Sequence, residues 1–226
     1  MDIADEIKAG LRPVVDFVYP PRCPLCGAPL AAQSGLCIDC WSGLEQAEGP
    51  GDHGGTTQVF AASRYNEISR QMVLNLKHGR KLALAPLMAR MMAHAAPQTI
   101  ATGESGTNAL LVPVPLHRRR LWERGFNQAG VLARELAKLN IGELCVDALI
   151  RSKRTPSLGG LGREERSAAL DGAIQIRKSR RRAVAGRDVL LIDDVYTSGA
   201  TSTACAQTLF HSGARSVRVL CFARAG

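Results

Sequence analysis

The sequence predicts an α/β protein, a mainly parallel β-sheet with helices on both faces, preceded by a small four-cysteine module. Three observations favour this class. Apolar strands alternate with helical segments along most of the chain, four cysteines lie within eighteen residues near the N-terminus, and a glycine-rich polar stretch separates the two regions. We expect the module at 1–48, a linker at 49–57 and the α/β domain at 58–226.

The elements of the domain follow from hydrophobic periodicity. Apolar runs bounded by turn residues predict strands at 58–63, 109–115, 170–176, 188–194 and 216–223. Helical spacing of apolar residues predicts helices at 3–18, 67–96, 127–139 and 202–213. Gly79 and Pro86 are expected to interrupt the second of these helices. The charged, glycine-rich segment 151–169 is expected to be a mobile loop.

Composition and charge exclude several classes of protein. The 226 residues are 46% hydrophobic and 22% charged, which argues against collagen, a long coiled coil and disorder. No apolar run has the roughly 18 residues of a membrane-spanning helix, and the first residues lack the pattern of a secretory signal. We therefore expect a cytoplasmic protein. The formal charge of +9 predicts an anionic partner, since 51–226 holds 26 basic against 13 acidic residues.

The cysteine module has the spacing of a metal site. Two C-x-x-C pairs, Cys23 with Cys26 and Cys37 with Cys40, are separated by ten residues. Each pair can turn both thiolates onto one ion, so the two pairs provide a closed tetrahedral Zn²⁺ site. The alternatives are a redox pair, an iron–sulfur site and buried thiols. They are disfavoured because two C-x-x-C pairs lie close together in a segment with few core residues. Four thiolates leave no open position, so we expect this site to serve stability or partner docking.

The most informative segment is a buried strand that ends in two acids, Asp193 and Asp194. A loop of small residues follows this strand and opens a helix. Its backbone N–H groups and hydroxyls can surround a phosphate at the positive end of the helix dipole. The carboxylates are placed to accept hydrogen bonds from ribose hydroxyls attached to that phosphate. The sequence contains neither a Walker A nor a Rossmann glycine pattern. The loop that opens the helix consists of Thr197, Ser198, Gly199, Ala200 and Thr201.

This segment resembles the 5-phosphoribosyl-1-pyrophosphate (PRPP) signature of type I phosphoribosyltransferases, a hydrophobic run followed by Asp-Asp and a T-S/T-G-x-T loop. The resemblance implies a type I phosphoribosyltransferase-like fold. It implies that Asp193 and Asp194 are the catalytic pair and hold the ribose 2′ and 3′ hydroxyls, while 197–201 holds the 5′-phosphate. Mg²⁺ bound together with PRPP is implied as a cofactor.

Two further stretches narrow the family. VPVPLHRRRLWERGFNQAGVLARELA (112–137) and RTPSLGGLGREERSAALDGAI (154–174) resemble blocks of the ComF family of competence proteins. That family also carries a four-cysteine ribbon ahead of a phosphoribosyltransferase-like domain, so the resemblance covers almost the whole chain. The second stretch has Leu158 and Ala169 where the family usually has Gln and Asn. If those side chains orient substrate, the two departures bear on transferase activity.

Basic residues near strand 109–115 supply further candidates. The turn behind this strand is expected to be the pyrophosphate loop, and Arg118 is the phosphate contact expected within 117–120, because arginine suits bidentate contacts to phosphate. Arg124 and Asn127 match the family block and are expected to shape the site.

Other residues that attract attention have simpler interpretations. Lys77 is a weaker site candidate and is interpreted as a surface lysine. Trp122 and Phe126 are expected to pack against the sheet, with stacking on a nucleobase as the alternative. Cys205 and Cys221 fall in a helix and a strand, and we interpret both as small core residues.

Three functions follow from these features and stay open. The first is a phosphoribosyltransferase, in which Mg²⁺ and basic loops stabilise the departing pyrophosphate. The second, implied by the family resemblance, is a non-enzymatic component of DNA uptake that binds single-stranded DNA and docks a helicase-type partner through its zinc ribbon. The excess of 11 basic over 3 acidic residues at 151–187 favours a nucleic-acid contact. The third is a PRPP sensor without turnover.

Overall fold

The structure is a computed structural model that describes residues 17–32, 35–51, 57–78, 81–97, 108–152 and 172–225. The chain divides into two compact units, 1–44 and 45–226. Nearly all of the helix predicted at 3–18 and of the loop predicted at 151–169 lies outside the described residues. The linker at 49–57 stays a prediction.

The first unit contains little regular structure in its described part. Arg22 and Pro29 form an isolated antiparallel bridge, and helix α1 spans Ile38–Ser42. Among these described residues, the buried cluster of this unit has only three buried residues and four that pack against them. A cluster of this size cannot stabilise a fold by apolar burial alone, so the unit depends on another source of stability. The buried residues of the cluster are Cys23, Cys37 and Cys40, with Leu25, Ala28, Leu30 and Leu36 packed against them.

A five-stranded parallel sheet forms the centre of the second unit. Its strands are β1 (Val59–Arg64), β2 (Leu110–Pro113), β3 (Glu143–Leu144), β6 (Asp188–Tyr196) and β7 (Ser216–Arg224). They lie in the order β1–β7–β6–β2–β3, and every neighbouring pair is parallel. A separate antiparallel pair is formed by β4 (Leu149–Arg151) and β5 (Ile174–Ile176). Residues 45–51 run beside β1, where Gly51 pairs with Val59 and Gln46 with Ser63.

Helices cover both faces of this sheet. Helices α3 (Ala85–Ala95) and α5 (Gln128–Lys138) contact each other and pack on one face, whereas α7 (Ala200–His211) packs against β6 and β7 on the other. Helices are needed on both faces because most residues of the central strands β2, β6 and β7 are buried. The predicted fold class, a mainly parallel sheet with helices on both faces preceded by a four-cysteine module, is confirmed. In the described part of this unit the α-helices are α2 (Glu67–Lys77), α3 (Ala85–Ala95), α4 (Arg118–Arg124), α5 (Gln128–Lys138), α6 (Arg181–Val184) and α7 (Ala200–His211).

Some elements differ from those that the sequence predicted. The helical region 67–96 is interrupted, as expected, between α2 and α3, but Pro86 does not break a helix: it lies in the first turn of α3, where its missing N–H costs nothing. In the described part of the predicted strand 170–176, which begins at 172, strand β5 covers 174–176 and lies in the small antiparallel pair. Strand β6 continues two residues past Asp194, because Val195 and Tyr196 pair with β7.

The parallel arrangement brings several chain segments to one edge of the sheet. Strands β1, β2 and β6 all end there, so the segments that follow them converge at that edge. These segments are helix α2, residues 114–127 and the loop 197–199. Ligands of open α/β sheets bind outside the carboxyl ends of the strands. Among the described residues, no helix has the length and apolar character needed to span a bilayer.

Candidate functional site

The acidic end of β6 is held in place by its own backbone. Asp193 Oδ1 accepts a hydrogen bond of 2.9 Å from the Asp194 N–H, and Asp194 Oδ1 accepts one of 3.0 Å from the Val195 N–H. Asp193 also lies beside Cys221 in the register of β6 and β7. These backbone contacts fix the two carboxyl groups at the carboxyl edge of the sheet, where hydroxyl donors of a ligand can approach them.

A lysine completes this acidic pair. The ammonium of Lys77, at the last residue of α2, lies 2.5 Å from Asp194 Oδ2, and the two side chains are only 22% and 11% exposed. The interpretation of Lys77 as a surface lysine is therefore wrong. Helix α2 begins shortly after β1 in the chain and ends beside Asp194, so it lies across the carboxyl edge of the sheet. The parallel topology was the only signal for this contact, since nothing local to Lys77 indicates a carboxylate partner.

The electrostatics of Asp193 differ from those of an ordinary surface acid. Burial raises the pKa of Asp193 well above its usual range, and the adjacent Asp194 carboxylate raises it further. The Lys77 ammonium opposes both effects. A buried carboxyl group with a raised pKa at a strand end is typical of a functional site, because structural carboxylates are more often stabilised in their charged form.

The loop behind β6 leads directly into a helix without a side-chain cap. Gly199 has φ +74°, and it is the N-cap of α7, where no side chain accepts a hydrogen bond from the first helical N–H groups. A Cβ at position 199 would lie 2.2 Å from the Tyr196 hydroxyl, so glycine is required by both the backbone and the space. Thr197 is exposed, while Ser198, Ala200 and Thr201 are partly exposed at this helix start. The arrangement suits an anion at the helix N-terminus.

Asn127 links β2 to the helix that follows it. Its Nδ2 donates to the Val114 carbonyl at 3.0 Å, and its Oδ1 accepts from the Ala129 N–H at 3.1 Å as the N-cap of α5. Arg124 is partly buried and donates to Gln128 Oε1 at 3.3 Å. Val114 in turn donates to the Ile192 carbonyl, one residue before Asp193. Asn127 therefore positions the end of β2 next to the acidic pair.

The arginines within 117–120, which the sequence places near the expected pyrophosphate loop, lie on helix α4. His117 caps α4 by accepting a hydrogen bond from the Arg119 N–H, and Gly125, at φ +82°, ends it. Arg118 is exposed at the first residue of this helix. A sequence with three consecutive arginines suggests a solvated turn, but the N-cap and the left-handed glycine define a helix of seven residues.

The aromatic residues of α4 and its C-terminal loop are placed differently from each other. Trp122 is 90% exposed, so the expectation that it packs against the sheet is wrong. Phe126 is partly buried.

Cys205 and Cys221 are fully buried, which confirms their interpretation as core residues.

The four predicted zinc ligands come together in the first unit. Their four Sγ atoms all lie within 4.8 Å of one another and belong to Cys23, Cys26, Cys37 and Cys40. Four thiolates at such separations fit a tetrahedral Zn²⁺ with Zn–S bonds of about 2.3 Å. Burial opposes ionisation of Cys23, but backbone N–H groups, foremost that of Cys26, outweigh it and lower the pKa of the thiol to about 6. The donor set is that of a closed structural site, which supplies folding energy rather than catalysis.

The comparisons with known proteins agree with this arrangement. The family model described as "Double zinc ribbon domain" matches residues 14–51. "DNA utilization protein YhgH" of Salmonella typhimurium is 30% identical over 206 residues, which cover 89% of this chain and 83% of the relative. "Competence protein F" of Haemophilus influenzae is 26% identical over 224 residues, covering 90% of this chain and 97% of that protein. "Competence protein ComFC" of Bacillus subtilis is 26% identical over 195 residues, covering 84% and 72%.

The fold and the site define a zinc-ribbon protein with a parallel α/β domain and an acidic pair at the carboxyl edge of its sheet. The chain belongs to the ComF family, together with the YhgH-type DNA utilization proteins. Among solved structures, an HPRT glutamic acid mutant is similar at 12% identity and a TM-score of 0.37, covering 61% of this chain and 66% of that one. A similarity this low does not support an inference about function.

Proposed function

We propose that the chain binds PRPP, or a related phosphorylated ribose, together with Mg²⁺ at the carboxyl edge of its sheet. The observation that carries this proposal is the juxtaposition, within one strand–loop–helix, of a carboxyl pair and an uncapped helix start. The carboxylates of Asp193 and Asp194 accept the ribose hydroxyls, and the N–H groups and hydroxyls of 197–201 bind the 5′-phosphate. Arg118 contributes charge at the pyrophosphate, while Arg124 and Asn127 hold the segment behind β2.

The residues present fit Mg²⁺ as a companion of this ligand. Carboxylate oxygens are the hard ligands that Mg²⁺ prefers, and it keeps phosphate oxygens and waters as its other ligands. When bound, the ion would compensate the negative charge that develops on a departing pyrophosphate. The contribution of the chain is to hold the ribose at two fixed carboxylates and the phosphate at a fixed loop, which orients the reacting carbon.

The proposal is tested by titrating the purified full-length protein with PRPP and Mg²⁺. Asp194→Asn is expected to weaken binding by roughly one to two orders of magnitude, which corresponds to the loss of a charge-assisted hydrogen bond of about 1.5–3 kcal/mol. Asp188→Asn is the matched control, because Asp188 lies on the same strand but at its opposite end. Equal affinities of the two variants for PRPP would contradict the proposal.

Turnover is a separate question from binding. A transferase releases pyrophosphate when a nitrogen acceptor attacks the ribose carbon, whereas a PRPP sensor binds the ligand and releases none. Screening purine, pyrimidine and amine acceptors for pyrophosphate release distinguishes the two. Restoring Leu158→Gln and Ala169→Asn then tests whether these two departures from the family pattern reduce the rate.

A second candidate function is contact with single-stranded nucleic acid, supported by the surface of α4. Trp122 is 90% exposed, and three exposed arginines precede it on the same short helix. Arginines neutralise phosphates, and an exposed tryptophan offers a stacking platform for an unpaired base. The names of the relatives, which refer to DNA utilization and competence, are consistent with a role in DNA uptake.

Fluorescence anisotropy of a labelled single strand against salt concentration tests this second function. Each lost phosphate contact is expected to reduce the salt slope by about 0.7, so Arg118→Ala should lower it, while Arg70→Ala on α2 should not. Trp122→Ala is expected to weaken binding by about 1–3 kcal/mol at every salt concentration. A slope near zero for the unmodified protein would contradict the proposal.

The zinc ribbon is proposed to dock a protein partner of the DNA-uptake machinery, such as a helicase-type protein. Helix α1 presents two exposed apolar side chains, with Ile38 82% and Trp41 50% exposed. Exposed aromatic side chains on a rigid support are typical anchors of protein interfaces. Trp41→Ala should abolish co-elution with a purified helicase-type partner without changing the affinity for PRPP.

A further inference from the structure

The buried cation of the site carries an inference that goes beyond the proposed ligand. Lys77 Nζ lies 2.5 Å from Asp194 Oδ2, and both side chains are mostly removed from solvent. The other oxygen of Asp194 accepts a hydrogen bond from the Val195 N–H. Both carboxylate oxygens of Asp194 therefore already have a partner within the chain, one of them a full positive charge.

The lysine acts on the acidic pair as a whole. Its ammonium contacts Asp194, and Asp193 Oδ1 accepts a hydrogen bond of 2.9 Å from the Asp194 N–H, so the two carboxyl groups and the lysine form one connected cluster. Two adjacent, partly buried carboxylates need a nearby cation to be charged together, and a protein can supply it as a lysine or as a divalent metal ion. In this chain the position is taken by a side chain from a different element, helix α2.

The same contact bears on how an anionic ligand approaches. A pair of uncompensated carboxylates next to the loop 197–199 would repel a phosphate bound there. With Lys77 in place, the formal charge of the acidic pair and the lysine together is one negative charge instead of two. The phosphate loop and the hydroxyl acceptors can then lie side by side at one edge of the sheet.

We propose that Lys77 is the built-in counter-cation of the acidic pair: it balances the charge of Asp193 and Asp194 and excludes a free divalent cation from them. This makes Lys77 a positioning residue. One consequence rests on the proposed function: the metal ion enters the site only together with the pyrophosphate of the ligand. A ribose hydroxyl that binds Asp194 has to share this carboxylate with the lysine or displace the lysine from it.

The test uses Mn²⁺ alone, a paramagnetic substitute for Mg²⁺, with the zinc-loaded full-length protein. Electron paramagnetic resonance counts free Mn²⁺ during the titration. Lys77→Met is expected to bind one Mn²⁺ roughly tenfold more tightly than the unmodified protein, because two carboxylates lose their competitor. Lys77→Arg keeps the charge and should exclude Mn²⁺ as the unmodified protein does. The matched control is Lys138→Met, which removes a mostly exposed lysine paired with Glu135 at 2.6 Å.

The outcomes separate this inference from a purely structural role. Unchanged Mn²⁺ affinity in Lys77→Met, or tight Mn²⁺ binding by Lys77→Arg, overturns the inference. Tight binding that disappears in Lys77→Met/Asp194→Asn assigns the metal to the acidic pair and supports it. If Lys77→Met does not fold, the double variant, which removes both charges, is expected to recover the folded state, and failure to recover it counts against the inference.

Failure of the proposed function gives a different result. If the unmodified protein does not bind PRPP, that proposal falls, while the Mn²⁺ titration still decides the role of Lys77. If PRPP binds and Lys77→Met leaves Mn²⁺ affinity unchanged, only the inference about Lys77 falls.

Discussion

The two ends of strand β6 carry carboxylates with opposite electrostatic character. Asp188, the first residue, accepts hydrogen bonds of 2.9 Å from Arg215 Nε and 2.6 Å from the Ser216 hydroxyl, and the hydrogen bond from Arg215 is the largest cause that lowers its pKa to about 2. At the other end, burial raises the pKa of Asp193. The first end is arranged to stabilise a charged carboxylate, and the second places Asp193 in an environment that opposes its charge.

This difference distinguishes a structural carboxylate from a candidate functional one. Asp188 contributes to the stability of the fold, because its charge is stabilised by partners that fold with it. The charge of Asp193 costs stability, and such a cost persists where a carboxylate is required for another purpose. The comparison therefore predicts that substitutions at the two ends have different effects on stability and on ligand binding.

The largest expected effect comes from breaking the buried ion pair at the C-terminal end of β6. Asp194→Ala leaves the Lys77 ammonium mostly buried without its partner, which is expected to lower the free energy of unfolding by about 3–5 kcal/mol. Glu135→Ala breaks a pair whose lysine is 63% exposed and should cost at most about 1 kcal/mol. Urea denaturation measures both. Similar costs for the two variants would mean that the Lys77–Asp194 pair is solvated like a surface pair.

The next effect concerns the glycine of the phosphate loop. Gly199→Ala is expected to lower the free energy of unfolding by about 2–3 kcal/mol, because φ is +74° and the new Cβ meets the Tyr196 hydroxyl. It should also abolish PRPP binding, since the loop has to shift. Gly186→Ala is the matched control, with φ +72° and nothing within 4 Å of the new Cβ. This variant should cost about 1–2 kcal/mol and leave PRPP affinity unchanged. Thermal unfolding and PRPP titration decide the comparison.

The pH dependence of stability should have opposite signs at the two ends. The pKa of Asp188 is lowered in the folded state, so its contribution is present above the unfolded pKa of about 3.8 and is lost as the pH falls towards 2. The pKa of Asp193 is raised in the folded state, so its contribution to stability is present below the unfolded pKa of about 3.8 and is lost as the pH rises. At neutral pH, Asp188→Asn should destabilise the fold by about 1–2 kcal/mol, and Asp193→Asn should stabilise it.

Urea denaturation at pH 3, 5 and 7 checks these signs. The difference between Asp193→Asn and the unmodified protein should vanish towards pH 3, where Asp193 is protonated in both states. PRPP affinity should fall in Asp193→Asn even though the protein is more stable. A destabilising effect of Asp193→Asn at pH 7 would contradict the assignment of its charge as a cost.

The features that could be predicted from the sequence are those that depend on local spacing. The cysteine pairs specify their cluster within 18 residues, and the apolar run 188–194 ends where the site begins. The contact between Lys77 and Asp194 could not be predicted in this way, because more than a hundred residues separate them and only the parallel sheet brings their elements together. The two-residue strand β3 is likewise defined by its pairing with β2, since Glu143 and Leu144 carry no strand pattern of their own.

The smallest expected effects come from the two serines that accompany these carboxylates. Ser216→Ala removes the 2.6 Å hydrogen bond to Asp188 and should lower the free energy of unfolding by about 0.5–1.5 kcal/mol, with PRPP affinity unchanged. Ser198→Ala, in the loop behind Asp194, should change stability by less than about 0.5 kcal/mol but weaken PRPP binding several-fold. Both substitutions remove one hydroxyl, but at opposite ends of β6: Ser216, the first residue of β7, contacts Asp188 at the start of β6, and Ser198 follows its carboxyl end. Denaturation and titration of both variants therefore test whether ligand binding is confined to the carboxyl end, and a loss of PRPP affinity in Ser216→Ala would show that it is not.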